Sequence, residues 1–100
     1  MHKRTPTFLM ANLGAEVTRL LSSHARGDQK AIVGSFQRAI GIIREIESFP
    51  EMSKRKKELE ILEGVIREYS SGDKNTYLVP SEQIKKYFTP FAMRVLIAQK

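Results

Sequence analysis

The stretch RLLSSH sets a guanidinium, Arg19, and an imidazole, His24, five residues apart. An imidazole exchanges protons near neutral pH and a guanidinium holds anions, so this pair suits chemistry on an anionic substrate if both groups reach it. On an α-helix, positions five apart differ by about 140° in direction. Leu9, Leu13, Val17, Leu20 and His24 follow steps of four, four, three and four, which places them on one stripe. If His24 continues that stripe, Arg19 points well away from it, and only a two-fold dimer brings both side chains to one cleft. Otherwise His24 is a partly buried residue closing an apolar stripe near a helix C-terminus, where the helix dipole favours its charged form.

An arginine, four intervening residues and a histidine resembles the motif of HEPN-type ribonucleases. The resemblance implies that His24 would act as acid or base and Arg19 would steer a phosphate, in a cleft between two copies of the chain. The sequence departs from that family in two ways. Leu20 follows Arg19 where the family usually carries a polar residue, often asparagine, and the pair sits early in the chain rather than late. The leading expectation is therefore a protein without catalytic activity, with a HEPN-like ribonuclease or toxin component as a rival.

A second candidate is the basic run KRKK, Lys54, Arg55, Lys56 and Lys57. Read as the opening of a helix, four positive charges oppose the macrodipole, which favours acidic groups there. Such a cluster suits the phosphates of RNA or DNA, or forms a solvated face that keeps a small bundle soluble. Tyr69, Tyr77 and Tyr87 are not interleaved with it, so a base-stacking platform is not indicated. Other chemistries find no support. There is no cysteine, His2 and His24 are the only histidines, and no Glu-x-x-His spacing, phosphate loop or dinucleotide fingerprint is present. No metal and no cofactor are expected. Ser22 and Ser23 adjoin His24, but adjacent helical residues do not make a nucleophile–base pair.

These residues need helices to hold them, and the helices are legible. Thr5 and Pro6 suit the start of a first helix running to about Arg26, with Phe8, Met10 and Leu21 widening its stripe. Gly27 can take the left-handed conformation that ends it, and Asp28 can cap a second helix from Gln29 to about Glu47. On the second helix Ile32, Val33, Phe36, Ile40, Ile43 and Ile46 form the expected apolar face, with Ala39 and Ile42 at its margins. Gly34 and Gly41, seven apart, each cost about 1 kcal/mol relative to alanine in a helix interior. Close approach of a neighbouring helix is their expected purpose, with a ligand lying on them as the alternative. Ser48 and Glu51 have capping-box spacing for a third helix from about Pro50 to Tyr69, carrying Met52, Leu59, Leu62 and Ile66. TYLV reads as an extended connector. Ser81 can cap a short helix to Phe88, and Thr89 before Pro90 predicts a break ahead of a last helix to about Ala98.

The expectation is an all-α, compact helical bundle of three long helices plus one or two short C-terminal ones, as a single domain over residues 1–100. ANLGAEVTRLL, then RGD, then AIVGSFQRAIGIIREI resembles a group of short, uncharacterised all-helical prokaryotic proteins. That likeness covers the first half and implies the helical hairpin alone. The net charge of +6 is spread evenly, with seven Lys/Arg against four Asp/Glu in the first half and ten against seven in the second. The basic start and brief apolar run near the N-terminus are interrupted by Asn12 and Glu16, so export is not expected, and no run approaches the ~20 apolar residues of a membrane span. A cytoplasmic helical interaction protein follows, without membrane association. At 100 residues a bundle gains stability by hiding an apolar face against a second copy, so a homodimer is expected, with a larger protein or a nucleic acid as further partners. The Leu13, Val17 and Leu20 stripe and the Gly34 and Gly41 face are the expected packing or association surfaces.

Overall fold

The computed structural model describes residues 5–71 and 80–98. It contains α1 (Pro6–Arg26), α2 (Gln29–Glu47), a 3-10 segment (Pro50–Arg55), α3 (Lys56–Ser71) and α4 (Ser81–Ala98), and no strand among the described residues. The fold is all-α, as its periodicity predicts. The expected TYLV connector lies outside the described residues. No helix among them is long and apolar enough to cross a membrane.

The first hairpin forms as its local signals dictate. The Thr5 hydroxyl accepts from the Phe8 N–H at 3.1 Å, and Pro6 occupies the first turn, where its missing N–H has no helical partner. Gly27 adopts φ 70°, and the N–H groups of Gly27 and Asp28 close back on the carbonyls of His24 and Ser23. Asp28 then accepts from the Ala31 N–H at 3.2 Å. With two residues between helices, α2 must fold back antiparallel on α1.

Helix α1 is the axis of the bundle, packed against α2, α3 and α4. Leu9, Leu13, Val17 and Leu20 are all buried in the chain's own core. The stripe expected to serve association is thus consumed within one copy. Its last member departs from the pattern: His24 is exposed, past the end of the core.

The face of α2 is rotated from the expected one. Its buried line is Ile32, Ser35, Ala39, Ile43 and Ile46, while Val33 is 45% exposed and Phe36 and Ile40 are half-buried. Small Ser35 and Ala39 on the buried line allow α1 and α2 to approach closely. The displaced Phe36 lies under the Arg67 guanidinium of α3, 5.3 Å from ring centroid to Cζ. Gly34 and Gly41 do not receive a neighbouring helix within the chain. A Cβ at Gly41 would meet nothing within 4 Å, and one at Gly34 would meet only the Arg38 guanidinium, at 3.4 Å.

The glycine that does admit a helix is Gly14. A Cβ there would stand 2.7 Å from the Phe88 Cβ and 2.8 Å from its Cγ. Phe88 lies on α4, so α4 rests directly on the bare backbone of α1. Ile84, Phe88 and Phe91 are buried along that contact. This contact corrects the expected break at Pro90, since α4 is continuous from Ser81–Ala98 with Pro90 inside it. Proline removes one helical hydrogen bond, but Phe88 and Phe91 flank it and are both anchored in the core. Thr89 bonds its hydroxyl to the Lys85 carbonyl at 3.1 Å. Ser81 is the first helical residue rather than the cap, and the Pro80 carbonyl accepts from Ile84 N–H.

The third element also differs from expectation. Ser48 does not box with Glu51; its hydroxyl turns back to the Glu45 carbonyl at 2.6 Å and closes α2. The chain then makes a 3-10 segment without a side-chain cap before α3 begins at Lys56. Glu63 clasps α3 to α2, each of its oxygens accepting from Arg44, at 2.8 and 2.9 Å, with Arg67 donating to Oε2 at 2.8 and 3.1 Å.

Two outcomes follow. Gly14→Ala forces the Phe88 backbone away and is expected to destabilise the fold by about 1–3 kcal/mol, whereas Gly41→Ala enters open space and stabilises by up to about 1 kcal/mol. Thermal unfolding of the two variants checks this. The Arg44 hydrogen bond, reinforced by Arg67 against the opposing effect of burial, holds the Glu63 carboxyl below its ordinary value of 4.5. A depressed carboxylate contributes stability that is full above the unfolded value and lost as pH falls through the folded one. Melting temperatures followed into acid should therefore fall further for the parent than for Glu63→Gln.

Candidate functional site

Hollows between helices hold the candidates Arg19, His24, Gly34 and Gly41, and each is fixed by the helices on either side of it. The first lies between α1 and α2 toward the Gly27 turn, with a volume of about 560 Å³, and is lined by Arg19, Arg26, Lys30 and Arg38 among hydroxyls of Thr18, Ser22, Ser23 and Ser35. It continues along the same two helices into a second hollow containing Glu16, Gly41 and Glu45, again with Arg19 and Arg38. Glu16 organises this junction. Its Oε2 lies 3.0 Å from Arg19 Nη1, and its Oε1 accepts from Arg38 Nε at 3.0 Å. One carboxylate thus holds a guanidinium from each helix.

His24 is elsewhere. It lines a small hollow of about 240 Å³ with Tyr69, Ser81 and Lys85, on the side of α1 facing α3 and α4. Its ring meets that of Tyr69 edge-on, 5.3 Å between centroids at 80°. Arg19 and His24 therefore open onto separate hollows, and one chain does not bring them together on a shared substrate. The 140° separation on the helix anticipates this; the edge-on tyrosine partner has no counterpart in the local sequence.

The basic run stands at the opposite end of α2. Lys54, Lys56 and Lys57 are exposed, and Arg55 is half-buried with its Cζ 5.7 Å from the Phe91 ring centroid. The ion pair formed there is Arg55 to Glu58 at 3.8 Å, one turn away. Only Lys56 and Lys57 fall in the first turn of an α-helix, because the 3-10 segment contains the other two. The four charges are thus less opposed by the helix dipole than a helix starting at Pro50 would make them.

The third groove separates α3 from α4. It encloses about 520 Å³ and is lined by Ile61, Leu62, Val65, Ile84 and the Tyr87 ring, with Glu58 and Gln83 at its ends. Tyr87 O–H donates to Glu58 across the groove. Burial first, and that carboxylate second, push the Tyr87 phenol well above its ordinary value, so it stays a neutral donor. Ile61 stands on the wall, 44% exposed. The helical period alone does not mark Ile61; the groove between α3 and α4 leaves it as an open edge.

Among the described residues no group of three or more His, Asp or Glu is placed to hold a metal ion. The expected lack of catalysis is tested by incubating the purified protein with diverse RNAs, which should stay intact, with His24→Ala giving the same result; cleavage that disappears with His24→Ala would restore the enzyme. Comparison with known proteins finds no matching family model, no matching curated protein and no matching solved structure.

Proposed function

We propose that this protein is a non-catalytic helical interaction protein that pairs with a second copy of itself through α3. The observation that supports it is the exposed Ile61 at the edge of the apolar α3–α4 groove. Lys57, Ile61, Gly64 and Glu68 follow steps of four, three and four, so they share one stripe of α3. The stripe is self-complementary. When two copies of α3 lie antiparallel about a two-fold axis at its centre, Ile61 faces the partner's Gly64, which presents no side chain. A two-fold interface repeats each contact, so the complementarity counts twice. The branched aliphatic side chain of Ile61 supplies the apolar burial.

Sedimentation of the parent and two variants tests the assignment. The parent is expected to sediment as a dimer at about 100 µM, Ile61→Glu as a monomer, and Val33→Glu, an equal change on α2, as a dimer. A monomeric parent, or an Ile61→Glu variant that still pairs, would overturn the proposal.

A further inference from the structure

We infer that the α1–α2 groove near the Gly27 turn is a binding site for the phosphate backbone of a nucleic acid. Arg19 and Arg26 reach it from α1 and Lys30 and Arg38 from α2, against the carboxylates of Asp28 and, at the junction with the next hollow, Glu16. The positive groups are held in place. Glu16 grips Arg19 and Arg38 by one oxygen each, with its own side chain only 14% exposed while theirs are 60% and 57% exposed. Each guanidinium carries five N–H donors in a fixed fork, so engagement with Glu16 leaves donors facing the groove. Arg38 also lies 3.4 Å from the Ser35 hydroxyl. Gly34 lines the same groove, with the Arg38 guanidinium 3.4 Å from where a Cβ would stand. The alternative weighed for the glycine, a ligand lying beside it, is the one this groove favours.

Length decides between a strand and a small anion. Arg19 and Arg26 are seven residues apart, about 10 Å along the helix, and Lys30 and Arg38 about 12 Å. A strand carries a phosphate every ~3.4 Å of duplex axis, so one segment of backbone reaches both ends of the groove, whereas a single phosphate reaches one. No aromatic residue lines it, so bases are not stacked and sequence is not read. The ligand class is therefore a nucleic-acid strand bound through its backbone. The groove lies on the α1–α2 side of the bundle, away from the stripe proposed for pairing, and the two readings stand or fall separately.

The test is fluorescence anisotropy with labelled oligouridine. Two to four phosphate contacts correspond to a loss of about 7-fold to about 50-fold in affinity between about 50 mM and about 200 mM salt. Arg26→Glu with Lys30→Glu should weaken binding at least about tenfold. Lys54→Glu with Lys56→Glu makes the same change in net charge at the opposite end of α2 and should leave affinity within about threefold. Circular dichroism melts of both double variants show whether the fold is kept, and Arg26→Gln with Lys30→Gln repeats the test if the charge reversal unfolds the chain. No binding by the parent at the lower salt, equal loss in the two charge-reversed pairs, or uridine monophosphate or polyglutamate binding as tightly as the oligonucleotide would each overturn the inference.

Discussion

The contact between Gly14 and Phe88 is the constraint on which the architecture turns. Helix α1 has to bury a face against α2 and, on its other side, against α4. Two helices with full side chains pack with their axes 8–10 Å apart. At Gly14 the α1 backbone is bare, and the Phe88 Cβ sits where a side chain would begin. Along that close approach Ile84, Phe88 and Phe91 are buried in the core together, and α4 continues through Pro90. With α4 packed on α1, an apolar groove lies between α4 and α3.

Electrostatics connect the helices in a second way. Four arginines that project from exposed surfaces, Arg19, Arg38, Arg44 and Arg67, are brought to two carboxylates, Glu16 and Glu63. Exposed ion pairs contribute little individually to stability, so their effect is chiefly one of position. At Glu63 the result ties α2 to α3. At Glu16 the same chemistry places two guanidiniums at the edge of a groove. A stabilising device and a ligand-attracting one differ here in what surrounds them: Arg67 lies over the Phe36 ring, whereas Arg19 and Arg38 border open polar space.

Catalysis and recognition separate along the same lines. A phosphodiester-cleaving pair needs its proton-transfer group and its phosphate anchor within reach of one bond. The helix that contains both Arg19 and His24 turns them to different sides, and the packing of α2 on one side and of α3 and α4 on the other keeps them there. The surface also offers an apolar edge on α3 and a cationic groove between α1 and α2.

Much of the architecture was legible in residue order alone. The limits of α1 and α2, the left-handed turn at Gly27, the caps at Thr5 and Asp28, and the burial of Leu13, Val17 and Leu20 all follow from short-range chemistry: helical period, φ preference and nearby hydroxyl or carboxylate groups. The divergence of Arg19 from His24 was equally readable, because it depends on a single helix. Other features were decided only when the helices met. Val33 faces out while Ser35 and Ala39 face in, because close packing favours small residues where axes approach, and hydrophobicity alone does not report distance. Gly14, not Gly34 or Gly41, receives a helix because that role depends on which element arrives opposite it. Pro90 stays within a helix because distant packing of Phe88 and Phe91 outweighs one lost hydrogen bond. The two grooves proposed to bind belong to the same class: each is a space between helices remote in sequence or facing one another across a turn, and such a space exists only once the chain has folded.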